Sequence, residues 1–328
     1  MARPPRAPEI DEPQYRCDVR LPLELPPPAR PADFLALGEN SLDVVAVGDG
    51  AQTPGSKRRL AQLRFLPGGQ AATAAVGCAR LGWRSGYVGC IGDDLGAQRI
   101  RAALQHEGVD ARLFVRPETP SRMAVVLVDS TSGERSVFEY RDDNLSLRSD
   151  EVAAARIEDA RVLLVDATDV RASVHAARRA RAAGIPTVVD VDAMCDGLDE
   201  LLPLIDVLIA SATFPRAYTG AQSIRDGLAQ LATHFHHTVA IATLGAEGSI
   251  AICGGHVVQT PAIRVDATDT TGAGDAFRAG FAARWLETAP AADLEDLLRH
   301  ATACAGLNCR AAGAQTALPT RAELAAAM

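Results

Sequence analysis

Five short apolar runs between residues 160 and 255 constrain the fold most. They are ARVLLVDA (160–167), IPTVVDVDA (185–193), LIDVLIAS (204–211), TVAIATLG (238–245) and SIAICGG (249–255). Each is the length of one strand, and the stretch over Val174–Ala183 between the first two has helical spacing. Continuous apolar strands that alternate with helices indicate a parallel sheet covered on both faces. FLALGENSLDVVAVG (34–48) adds a buried strand, a bend at Gly38-Glu39-Asn40 and a second strand. Ser85–Cys90 reads as a further strand, followed by a glycine-punctuated loop and a helix ending at Gly108. MAVVLVDSTSGERSVFEYR (123–141) alternates as a hairpin does, with Ser132-Gly133-Glu134 at the turn. Helices over about 272–288 and 293–308 close the chain. The expected architecture is an α/β sandwich with β-rich pieces near 50–66 and 111–141 set apart from it.

Residues 1–31 hold nine of the 19 prolines and are expected to stay extended or disordered, so the folded domain should run from about 33 to 328. A hydrophobic content of 48% is ample for a large core. The net charge of −8 argues against a nucleic-acid footprint. The seven cysteines are odd in number and scattered, without zinc spacing, and His234, His236 and His237 read as a polar helix end or loop. No apolar run of eighteen residues and no signal-peptide pattern is visible, which leads to the expectation of a cytoplasmic, reduced protein without a membrane partner.

VDATDTTGAGDAFRAGFAA (265–283) carries the strongest chemical signal. Gly272, Ala273 and Gly274 precede a helix and leave consecutive backbone N–H groups unhindered, which suits an anion. Asp275 in the first turn is either a helix cap or a proton acceptor beside that anion hole. Thr243-Leu244-Gly245-Ala246-Glu247-Gly248 sits between two strands, where open α/β sheets bind ligands, although a plain hairpin turn has the same composition. The chain contains no Walker-type Gly-x-x-x-x-Gly-Lys-Ser/Thr and no Rossmann Gly-x-Gly-x-x-Gly. Phosphates would then rely on backbone amides and metal, without a P-loop lysine. Asp43, just past the bend at 38–40, suits a clamp on vicinal hydroxyls, and Gly68-Gly69 allows close approach of a ligand or strand.

DTTGAGDAF (269–277) resembles the C-terminal signature of the ribokinase/PfkB carbohydrate kinases, and the resemblance extends over about 34–322. It implies a ribokinase-like three-layer sandwich with a mainly parallel central sheet and a small β lid. The implied reaction is transfer of the γ-phosphoryl of ATP to a sugar hydroxyl, with Mg2+ and K+ as accompanying ions. Asp275 is then the catalytic base, with Gly272, Ala273 and Gly274 as the anion hole. Asp43, Gly68, Gly69, Gln70 and Thr73 match the sugar side, where Thr73 stands in place of the family's usual Asn, and Arg122 is a further candidate at the lid edge. Thr243, Gly245, Gly248 and Gly274 match the nucleotide side. Asp269 and Thr271 match a monovalent-cation loop, which Gly313-Ala314-Gln315 resembles in completing. Gly89, Gly92, Asp93 and Gly96 match a glycine-rich loop, which reads as structural.

The family's Asn-x-x-Glu is absent: the chain reads Ser211-Ala212-Thr213-Phe214 at that place. Asp190 and Asp192 are therefore the expected holders of magnesium through water, and the substrate expectation moves toward a ketohexose-like sugar. The alternatives are a nucleoside kinase of the same fold, which would want aromatic stacking, and a non-catalytic sugar or nucleotide sensor. Aromatic residues make up only 4% of the chain. The oligomeric state stays open, a homodimer included.

Overall fold

The computed structural model describes residues 19–49, 55, 57, 59–131 and 135–328. In chain order the strands are β1 (Phe34–Leu37), β2 (Ser41–Gly48), β3 (Gln62–Gly68), β4 (Ser85–Ile91), β5 (Asp110–Val115), β6 (Met123–Asp129) and β7 (Arg135–Tyr140). They continue as β8 (Val162–Asp166), β9 (Thr187–Val191), β10 (Val207–Ser211), β11 (Val239–Thr243), β12 (Ser249–Cys253) and β13 (His256–Thr260). The helices are α1 (Gln70–Arg80), α2 (Leu95–His106), α3 (Ser149–Ala154), α4 (Val170–Ala182) and α5 (Leu198–Leu201). After them come α6 (Phe214–Thr219), α7 (Ile224–Phe235), α8 (Ala273–Thr288), α9 (Leu294–Asn308) and α10 (Arg321–Ala327).

Among the described residues, nine strands form the large sheet in the order β13-β12-β11-β10-β9-β8-β1-β4-β5. Every pairing from β11 to β5 is parallel, and β12 and β13 close one edge antiparallel. Successive side chains on a strand point to opposite faces, so each strand feeds two cores. Phe34 and Ala36 join the core containing α1, α2, α8 and α9, while Leu35 and Leu37 join the core of α4 and α7. Val162 and Leu164 against Leu163 and Val165 repeat the division on β8. This is the expected three-layer sandwich, and its continuous apolar strands follow from burial on both faces.

The small sheet has the order β3-β2-β6-β7. It differs from the expected lid pieces in two respects, the first being that β2, which lies outside both pieces, pairs with β3 and β6 in it. Residues 110–115 pair in parallel with β4 and belong to the large sheet, because a short run of alternating character suits either sheet and only its partner decides. The 50–66 piece begins on residues that lie outside the described ones, apart from 55, 57 and 59–66, and so does the turn at 132–134. The hairpin itself is present as β6–β7. Helix α4 starts at Val170, four residues before the expected Val174, because Asp169 caps it by accepting from the Ala172 N–H at 3.4 Å.

Residues before 33 also pack on the domain. Val19 and Leu21 are buried in the α8–α9 core, the Leu21 N–H donates to the Ala292 carbonyl at 2.9 Å, and the Leu294 N–H donates to Val19 at 2.8 Å. Prolines remove donors but leave the residues between them able to dock, and Val19 and Leu21 use that freedom. Residues 1–18 of the expected leader lie outside the described ones. Leu21→Ala should cost about 2–5 kcal/mol of stability, read as a lowered denaturant midpoint at unchanged slope.

Candidate active site

A cleft of about 810 Å³ opens at the C-terminal ends of the large sheet's strands, under the small sheet. Its walls come from many segments: Glu39 and Asp43 from the first strands, Gln70 from α1, Arg122 and Glu139 from β6 and β7, Asp192 after β9, Ser211 and Thr243 from β10 and β11, and Gly272 to Arg278 from α8. Parallel strands end together at one edge, so distant segments meet there.

Helix α8 aims its N-terminus at this cleft. Gly272 is the N-cap, at φ +76°, a region that costs an L-residue strain. A Cβ there would also stand 2.5 Å from the Ala314 carbonyl oxygen. The two loops that meet at this point are tied by Asp269. One of its oxygens accepts from the Thr271 N–H at 2.9 Å and hydroxyl at 2.7 Å, and the other from the Gly313 N–H at 2.8 Å. Asn308 adds bonds to the carbonyls of Thr271 and Ala314 at 3.2 and 3.0 Å. The expected cation-loop residues are thus brought together with 313–315, and Asp269 spends both carboxylate oxygens on joining them.

Asp275 follows in the first turn, buried beneath the cleft. Burial lifts its carboxyl to about 7; Arg278 opposes the rise, while Asp192, Asp166 and Asp43 reinforce it. On the opposite wall, Asp43 is buried and accepts from the Ser41 hydroxyl at 2.8 Å; burial raises it as well. Gly68 makes this possible, since a Cβ on it would meet the Asp43 carboxylate at 2.5 Å. Gln70 lines the cleft and donates to Asp192 at 2.6 Å. Arg122 also lines it and is paired with Glu39 and, at 3.1 Å, with Glu139.

Some expected residues lie elsewhere. Thr73 is fully buried on the inner face of α1, where its hydroxyl accepts from Gln315 at 3.2 Å, and it does not line the cleft. Its position one turn into α1 points it toward the core, so its replacement of the family's usual Asn bears on packing. Asp190 is 0% exposed and paired with Arg278, with no opening to hydrated metal; Asp192, two residues on and past the strand end, is half-exposed to the cleft. On the nucleotide side the lining reaches Thr243 but neither Gly245 nor Gly248, whose loop is closed by a 2.7 Å bond from the Leu244 N–H to the Gly248 carbonyl. Asp93 accepts from the Glu118 N–H at 2.8 Å, in keeping with a structural loop. His237 is buried with Nδ1 2.8 Å from the Ile205 carbonyl, away from the cleft.

Arg278 is the residue that the sequence reading passed over. A charged side chain three residues after Asp275, inside the apolar run AFRAGFAARW, was the available signal, since such spacing places both on one helix face. Among the described residues no group of three or more His, Cys, Asp or Glu side chains forms a metal site. A magnesium ion keeps several waters and takes one or two carboxylates together with substrate phosphates. Asp192 is a hard oxygen donor of that kind, open to the cleft. No helix among the described residues is long and apolar enough to cross a membrane.

Comparison with known proteins agrees with this geometry. A fructokinase of Klebsiella pneumoniae is 35% identical over 309 residues, covering 88% of this chain and 96% of that protein. An aminoimidazole riboside kinase of Salmonella typhimurium is 34% identical over 278 residues, covering 77% and 85%. The structure of an Arabidopsis thaliana ribokinase complexed with ribose and ATP superposes with a TM-score of 0.77 at 25% identity, covering 90% of this chain and 98% of that one. Residues 32–321 match the family described as pfkB family carbohydrate kinase, and the chain therefore belongs to that family of ATP-dependent sugar kinases.

Proposed function

We propose that this kinase phosphorylates a ketohexose-like sugar, with Asp275 as the general base. The observation that carries the reading is that Asp43 and Asp275 line one cleft together with Gly272 and Gly274 at the N-terminus of α8. Asp43 accepts hydrogen bonds from sugar hydroxyls and so sets the orientation of the acceptor. The buried Asp275 takes the proton of the attacking hydroxyl, and its raised basicity matches that task near neutral pH. The amides of Gly272 and Gly274, at the positive end of α8, stabilise the negative charge on the transferring phosphoryl, whereas the Ala273 N–H of the expected anion hole is taken by the Thr270 carbonyl at 3.2 Å. Thr243 marks the nucleotide end of the cleft. Magnesium, when bound, neutralises charge on the nucleotide's phosphates, and Asp192 is the side chain that would hold it, Gln70 fixing its carboxylate. Asp269 and Thr271 lie in the loop pair suited to a potassium ion, whose effect would be to hold the amides of 272–274 in place.

A nucleoside acceptor is the second reading, favoured by the likeness to an aminoimidazole riboside kinase. Against it, the described residues lining the cleft include no Phe, Tyr or Trp on which a base would stack. ATP consumption with a panel of fructose, other ketoses, ribose and ribosides separates the two. Fructose or a related ketose should be the best acceptor, and a clear preference for ribosides would replace the ketose reading.

Removing the base should lower kcat by roughly 10²–10⁴ in Asp275→Asn with ATP binding retained. The base works only as carboxylate, so turnover of the parent enzyme should fall as pH drops through about 7, the value at which Asp275 gains its proton. The same acid limb persisting in Asp275→Asn would assign it to another group. Asp192→Asn should raise the magnesium concentration needed for half-maximal turnover about tenfold, on the order expected from one lost charged ligand. An unchanged requirement would remove Asp192 from the metal's surroundings.

A further inference from the structure

We propose that Arg278 is a catalytic residue, its Nη1 nitrogen donating to the phosphoryl group as it passes from nucleotide to sugar. The inference rests on reading 272–275 as the transfer end of the cleft. In that step the acceptor oxygen forms a bond to the γ-phosphorus and the bridging P–O bond breaks. The electron pair leaves on the β-phosphate oxygen of ADP, and the hydroxyl proton goes to Asp275. Arg278 exchanges no proton; it stabilises charge that the step concentrates on the phosphoryl oxygens.

The side chain is anchored on one side only. Its Nη2 is paired with the buried Asp190, stands 3.4 Å from Asp192 and donates to the Ile209 carbonyl at 3.2 Å. Neutralising Asp190 asks nothing more of a guanidinium. Yet Nη1 hydrogen-bonds to none of the described residues, and Arg278, although its side chain is only 2% exposed, forms part of the cleft wall. The Nη1 nitrogen lies against the first turn of α8, where a Cβ on Gly274 would be 2.4 Å from it. Gly274 therefore both exposes its own amide and leaves room for the guanidinium beside it. Both residues line the cleft together with Asp275.

Charge points the same way. The lining carries Glu39, Asp43, Glu139, Asp192 and Asp275 against Arg122, Arg141 and Arg278. Arg122 is taken up by Glu39 and Glu139, and Arg141 by the Leu145 and Thr168 carbonyls. Among the described residues Arg278, itself partnered through Nη2 alone, is the lining cation on the first turns of α8, in a chain with no P-loop lysine. A planar guanidinium held on one edge offers its other nitrogen to phosphate without reorganising.

Arg278→Met alone leaves Asp190 buried without its partner, so the test uses Asp190→Asn/Arg278→Met, which removes both charges, and Arg278→Lys, whose single ammonium stays with Asp190. In each, kcat should fall roughly 10²–10³-fold with the sugar KM nearly unchanged, as for loss of one transition-state donor. Calorimetry with magnesium present should show weaker binding of AMP-PNP at unchanged ADP affinity, because the contact is to the third phosphate. A parent-like kcat in either variant, or equal weakening of AMP-PNP and ADP, overturns the proposal. Asp275→Asn is the control: if it stays active the reading of the site fails, whereas if it alone loses turnover only the role of Arg278 falls.

Discussion

A carboxylate buried without compensation is among the least stable groups in a folded protein, and this chain gathers several at one sheet edge. Asp166 ends β8 and Asp190 is the last residue but one of the neighbouring β9, both at 0% exposure, and Asp275 lies near them at the start of α8. Each is raised first by burial, Asp166 to about 6 and Asp275 to about 7. The rest of the site is arranged around this excess of negative charge. Asp166 is steadied by the N–H groups of Glu39 and Thr168 at 2.6 and 3.0 Å, and Asp190 by Arg278. That division separates the carboxylates held by these partners from Asp275, the base proposed above.

The scaffold makes the division possible. Parallel strands bring their ends to one rim, and both faces are sealed by helices, so polar groups at the rim are buried on the protein side and open only to the cleft. Helix α8 is apolar around most of its circumference and is accordingly buried between α1 and α9. Its N-terminus is held by the loop pair joined through Asp269 and Asn308. The small sheet then brings Asp43 in from the other side.

Much of this was legible in the chain. The runs at 162–166, 187–191, 207–211, 239–243 and 249–253 are continuous and apolar because burial on both faces leaves no solvent side. The glycine pair around Ala273 followed by an apolar run marks a helix start, while only the fold shows that the Ala273 N–H turns back to the Thr270 carbonyl. The segment 110–115 was harder to place, since alternation reports a half-covered strand and not which neighbour covers it. Val19 and Leu21 were hidden by the prolines around them; docking depends on a groove made by α8 and α9.

Local pattern by itself determined the layered α/β architecture, the start of α8, and the reaction class that the 269–277 signature implies. These depend on periodicity and backbone freedom, which are properties of consecutive residues. Tertiary structure alone decided which carboxylate faces solvent and which faces a cation. Asp190 and Asp192 are two residues apart, yet one is sealed against Arg278 and the other lines the cleft, because the strand ends between them. Thr73 likewise turned inward toward Gln315, a residue that only the closed fold brings near. Burial and partnering are set by elements far apart in the chain, and no spacing along the chain encodes them directly.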